Sequence, residues 1–88
     1  MLRIAVWDTY VERSDNKVMH FDILVPLEVK DAKQVYDFGK SYLKSKPFHT
    51  GAISSKECTF CHIEKASDQV ISDINEKGYH IIEMQNCN

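Results

Sequence analysis

Two stretches of the chain alternate between apolar and polar side chains with the period of a β-strand. In residues 2–12, Leu2, Ile4, Val6, Asp8 and Tyr10 fall on one side, and Arg3, Ala5, Trp7, Thr9 and Val11 on the other. In residues 17–27, Met19, Phe21, Ile23, Val25 and Leu27 alternate with Val18, His20, Asp22 and Leu24. The polar cluster Arg13-Ser14-Asp15-Asn16 between them suits a hairpin loop, because Asp and Asn tolerate the left-handed conformation. The main apolar set is even-numbered on the first strand and odd-numbered on the second. A four-residue loop then pairs Val6 with Ile23 and Ile4 with Val25, setting both sets against one core. That register puts Trp7 across from Asp22 and Thr9 across from His20 on a second, half-polar face. Asp8 and Tyr10 share the parity of the core face but lie near the hairpin tip, within reach of solvent or a loop backbone.

The pattern then changes period. Pro26 has no N–H to give a ladder, so the second strand is expected to end there or to lie at an edge. Asp31 is placed to cap a helix, with Gln34 three residues on, and Ala32, Val35, Phe38, Gly39 and Tyr42 recur at helical spacing. Pro47 forbids continuation, so a helix is expected over about 31–45, with Gly39 marking close packing on the sheet. Residues 48–55 carry no period and read as a loop. Residues 57–64 are expected as a third strand. Ser67 then caps a second helix with Val70, Ile71 and Ile74 as its buried stripe, stopped by Lys77-Gly78. Tyr79–Met84 supplies the closing strand. The order β-β-α-β-α-β predicts a single α+β domain over 1–88: a two-layer sandwich with a four-stranded mixed sheet and both helices on one face.

Charge and composition narrow the classes of function. Eleven basic against thirteen acidic side chains leave a net charge of −2, which argues against a nucleic-acid backbone binder. No apolar run approaches the ~18–20 residues that span a bilayer, so no membrane partner is expected. The first residues are interrupted by Arg3 and Asp8 and do not form a signal peptide, so a cytoplasmic chain is expected. An odd number of cysteines, three, then points to free thiols or metal ligands rather than a disulfide framework.

The densest chemistry lies in Cys58-Thr59-Phe60-Cys61-His62. C-x-x-C-H is the haem-attachment order of c-type cytochromes, but those are matured after export and the motif here sits in a strand. A thioredoxin-like reading fails too, because the motif does not open a helix. Zinc needs four donors, and Cys58, Cys61, His62 and Cys87 supply the right types. A regular strand, however, sends the two sulfurs to opposite faces with their Cα atoms about 10 Å apart. Alternation sends Cys61 to the core and Cys58, Phe60, His62 and Glu64 outward. No other catalytic motif is present: there is no phosphate loop, no Ser-His-Asp arrangement and no His-Glu-x-x-His.

A second constellation spans strands. Should the third strand lie beside the hairpin, Trp7, Thr9, His20, Asp22, Phe60 and His62 share the face away from the helices. Two imidazoles and a carboxylate there can hold a divalent metal or act as acid and base near neutral pH. No cofactor is otherwise implied.

The runs Ile4-Ala5-Val6-Trp7-Asp8-Thr9-Tyr10-Val11, Val18-Met19-His20-Phe21-Asp22-Ile23-Leu24-Val25-Pro26 and Lys56-Glu57-Cys58-Thr59-Phe60-Cys61-His62-Ile63-Glu64 carry a resemblance, as does Gly78-Tyr79-His80-Ile81-Ile82-Glu83-Met84. In these blocks the chain resembles an uncharacterised family of short bacterial proteins, catalogued as domain of unknown function number two thousand and twenty-four. The resemblance implies a small stand-alone α+β domain and no particular activity, ligand or catalytic residue. Two functional expectations follow. One is an interaction module using the face the helices leave open, pairing with a second copy or another protein. The other is a metal- or thiol-dependent site built on His20, Asp22, His62 and Cys58/Cys61. No reaction is specified by either.

Overall fold

A computed structural model describes residues 3–88. The elements are β1 (Arg3–Glu12), β2 (Val18–Pro26), α1 (Ala32–Leu43), β3 (Cys58–Lys65), α2 (Asp68–Lys77) and β4 (His80–Gln85). The α+β class, the element order and every element expected from the pattern are present; Leu2 lies outside the described residues.

Local chemistry accounts for the element ends. The Asp31 carboxylate accepts from the Lys33 N–H at 3.0 Å, and Ser67 Oγ accepts from the Val70 N–H at 3.3 Å, each satisfying an orphan donor of a first turn. Gly78 ends α2 in the left-handed conformation, φ 93°, with its N–H on the Ile74 carbonyl. The aperiodic segment after α1 is tied to the hairpin tip: Gly51 N donates to Glu12 O at 2.8 Å and Ser14 N to His49 O at 3.0 Å. Ile53, from the same segment, enters the core.

The sheet runs β3-β1-β2-β4. Every neighbouring pair is antiparallel, so the expected mixed sheet is corrected to a wholly antiparallel one. β2 and β3 flank β1 on its two sides, and the chain between them, carrying α1, passes back over β1. β3 and β4 lie at opposite edges, so the connection through α2 crosses the whole sheet.

The two helices do not share a face. Val35 and Leu43 of α1 pack with Ala5, Phe21, Ile23 and Val25, whereas Val70 and Ile74 of α2 pack with Ile4, Val6 and Leu24. Odd-numbered and even-numbered hairpin residues therefore serve different cores, and the molecule has three layers rather than the two expected. At Gly39, α1 packs closely on this side of the sheet. A Cβ there would stand 2.7 Å from Ile53 Cδ1 and 3.0 Å from Ile23 Cδ1.

The hairpin register is also shifted by one residue from expectation. Ile4 pairs with Pro26, Trp7 with Ile23, Asp8 with Asp22 and Tyr10 with His20. The cause is the turn. Arg13 N donates to Lys17 O at 2.8 Å and Asn16 N to Arg13 O at 3.2 Å, with Asn16 at φ 66°. This is a three-residue loop, Ser14-Asp15-Asn16, closed by a left-handed residue, a standard hairpin geometry. The shift exchanges the partners on both faces and decides which side chains can meet.

Candidate functional site

The even-numbered face of the hairpin is apolar under α2 and polar beyond it. Going from Ile4 and Val6 toward the tip, β1 presents Asp8 and Tyr10; from Leu24, β2 presents Asp22 and His20. These four side chains are partly exposed and form one cluster. His20 Nε2 lies 2.5 Å from Asp8 Oδ1 and 3.9 Å from Asp22 Oδ1. The Tyr10 ring stacks on the His20 imidazole, centroids 4.2 Å apart and planes within 9°. One ligand atom from each of Asp8, His20 and Asp22 falls within 4.8 Å of the other two. Partial burial pushes the Asp22 carboxyl above the usual range. The neighbouring Asp8 carboxyl adds to that rise, while His20 and His62 oppose it. Tyr10 is likewise raised, first by desolvation and then by the Asp8 charge.

The six residues expected to share one open face are divided by the register. His20 and Asp22 do sit together, and His62, paired with Val6, is on the same side of the sheet. Trp7, Thr9 and Phe60 are on the other side. Thr9 is fully buried, with Oγ1 donating to Cys58 Sγ at 3.4 Å. Trp7 meets Phe60 edge to face at 6.0 Å, and its indole Nε1 is buried without a hydrogen-bond partner. Asp8 and Tyr10 are the members that the pattern alone assigns elsewhere. Their parity was the signal available, and it becomes informative only with the correct loop length.

The cysteines reverse the expected orientation. Cys58 is buried and Cys61 exposed. The pairing jumps from Val6–His62 to Trp7–Phe60, leaving Cys61 as the extra residue of a β-bulge. The bulge flips the alternation, so Cys58 joins Thr9 in the core and Cys61 turns to the surface beside His62, Sγ to Nδ1 3.2 Å. Burial pushes the Cys58 thiol up, against the lowering effect of the Thr9 hydroxyl. Glu64 approaches His62 from its other nitrogen, Nε2, at 3.5 Å. Cys87 is buried elsewhere, its Sγ 3.4 Å from the His20 carbonyl oxygen. Among the described residues, Cys58, Cys61, His62 and Cys87 do not form a shared donor set, and the four-ligand zinc reading is corrected on that ground.

The remaining histidines are accounted for more simply. His80 Nδ1 lies 2.5 Å from Asp73 Oδ2, a two-residue pair between β4 and α2. His49 lines an open depression with Lys40, Lys44 and Lys46. Lys46 is committed to Glu83 at 2.6 Å, and the negative end of α1 points there, which disfavours an anion. Among the described residues, no helix is long and apolar enough to cross a membrane.

Comparison with known proteins adds a family and a fold. No curated protein matches the chain. Protein NE1680 from Nitrosomonas europaea, solved by NMR as a structural-genomics target, is 42% identical. It aligns over 99% of this chain and 100% of its own, with a TM-score of 0.79. The family described as Domain of unknown function (DUF2024) matches residues 2–84, and the chain belongs to that family.

Proposed function

We propose that the protein is a cytoplasmic interaction module that pairs with a second copy of itself along β3. The observation that carries this reading is the exposure of that strand. β3 is an edge, every residue from Thr59 to Lys65 is exposed, and Phe60 and Ile63 keep 52% and 50% of their surface in water. The bulge at Cys61 matters here, because it puts residues three apart on the same side: Phe60 opposite Trp7 and Ile63 opposite Ala5. The result is a short apolar strip continuous with Trp7, alongside a row of unpaired backbone donors and acceptors. An antiparallel edge is self-complementary about a twofold axis, so a second copy offers both the matching hydrogen bonds and the matching strip. Three free thiols suit a reducing compartment.

The strip is small beside the roughly 1,200–2,000 Å² that a stable complex buries, so the association is weak and concentration-dependent. Sedimentation velocity over a concentration series tests it. The expected result is a dimer fraction that grows with concentration and disappears in Ile63→Lys, a change at an exposed position that leaves the fold intact. A chain that stays monomeric at millimolar concentration would overturn the proposal.

A further inference from the structure

The geometry points to a metal centre at the hairpin: we infer that Asp8, His20 and Asp22 bind one divalent cation of the zinc class. Three features of the cluster support this. First, the donors converge. Bonds of about 2.0–2.2 Å to such an ion place neighbouring ligand atoms roughly 3–3.5 Å apart. The three donor atoms here already lie within 4.8 Å of one another, with separations of 2.5 and 3.9 Å from His20 Nε2. Side-chain rotation is what would even out these separations around an ion.

Second, two carboxylates crowd a single imidazole. Asp8 and Asp22 are direct partners in the β1–β2 ladder and project from the same face. Like charges directly opposed across a sheet repel, and the imidazole meets only Asp8 at hydrogen-bond distance, leaving Asp22 at 3.9 Å without so close a cationic partner. A dication would meet both carboxylates. The molecule contains its own contrast in His80 and Asp73, held at the same 2.5 Å but with no second carboxylate in the set. An ordinary His–Asp hydrogen bond needs only what that pair has.

Third, the imidazole is held in place. Tyr10 stacks flat on His20, restricting the ring plane and so the direction of Nε2. Fixing the orientation of a ligand in this way favours binding. The donor set of two carboxylates and one imidazole selects borderline first-row ions. Calcium takes six to eight oxygens, and magnesium is bound chiefly by oxygen and water. The cluster is partly exposed, and three protein ligands leave further coordination positions to water, as in catalytic rather than structural zinc sites.

The test uses the full chain stripped of metal with a chelator. Zn²⁺ is titrated in by calorimetry, and Mn²⁺ is added while amide signals are followed by NMR. One Zn²⁺ per chain is expected, and paramagnetic broadening should centre on residues 8–10 and 20–22. His20→Ala and Asp22→Asn, each checked for an intact amide spectrum, should weaken Zn²⁺ binding by about tenfold or more. Asp73→Asn and Cys61→Ser should leave it unchanged. No Zn²⁺ uptake, equal uptake by His20→Ala, loss in Cys61→Ser, or broadening centred on residues 61–64 would each overturn the inference. Should both cluster variants misfold, the Mn²⁺ map of the wild-type chain decides alone.

Discussion

At the scale of single residues, this protein shows how one neighbour changes what a histidine is for. His80 and His20 each sit 2.5 Å from a carboxylate, yet only His20 has a second carboxylate and a stacked phenol around it. The His80–Asp73 pair is a tie between β4 and α2, and it makes a testable contribution to stability. Hydrogen bonding to His80 holds the Asp73 carboxyl below its ordinary range. A depressed carboxylate stabilises the fold above its unfolded pKa, and that contribution is lost as pH falls through the folded value. Asp73→Asn should therefore lower the urea midpoint at neutral pH. The gap to wild type should close as both are acidified below the carboxylate range. A gap that persists in acid would mean that the pair acts through packing rather than charge.

At the scale of elements, small backbone devices carry much of the specification. Gly78 lets α2 stop and turn into β4 at φ 93°, with the Phe38 ring 3.3 Å from where a Cβ would be. A left-handed L-residue costs roughly 1–2 kcal/mol, and Phe38 must also yield. Gly78→Ala is thus expected to destabilise by about that amount in chemical denaturation, with the loss centred on the α2–β4 junction in hydrogen exchange. The caps at Asp31 and Ser67, the stop at Gly78 and the close approach at Gly39 were all legible in the sequence, because each depends on a residue and its immediate chain neighbours. The hairpin loop was not. Ser14-Asp15-Asn16 with a left-handed Asn16 and a four-residue alternative use the same residue types, and they differ only in which backbone groups bond. One residue of slip moved Asp8 and Tyr10 to the side of His20, and sent Thr9 to the core.

At the scale of the whole molecule, Arg13 joins three distant parts of the chain. Its Nη1 donates to the Asn86 and Asn88 carbonyl oxygens at 3.0 and 2.8 Å. Its guanidinium lies 3.7 Å over the Phe48 ring, and its backbone bridges to Thr50. The hairpin tip, the segment after α1 and the residues following β4 thus close on one nearly buried side chain. Hydrogen bonds from a charged donor contribute about 1.5–3 kcal/mol where they are shielded from water. Arg13→Ala should cost on that order, and amide exchange at residues 48–51 and 86–88 should accelerate ahead of the sheet. Exchange rising uniformly across all elements would contradict a local clasp.

What the chain determines by itself is the set of elements: periods of two and of 3.6, broken by Pro, Gly and capping side chains, are local properties, and six of them follow in order. The alternation of β1 and β2 was also real, but it could not say that both faces would be buried. A sheet covered on one side has a single apolar parity, and register follows from it. A sheet covered on both sides has two, and the hydrophobic pattern no longer selects between pairings one residue apart. Only the tertiary structure decided that α1 and α2 take opposite faces, that β3 bulges at Cys61, and that Asp8 meets His20 and Asp22. The candidate metal centre depends on that choice of faces, because long-range packing, rather than any run of neighbouring residues, brings its three ligands together.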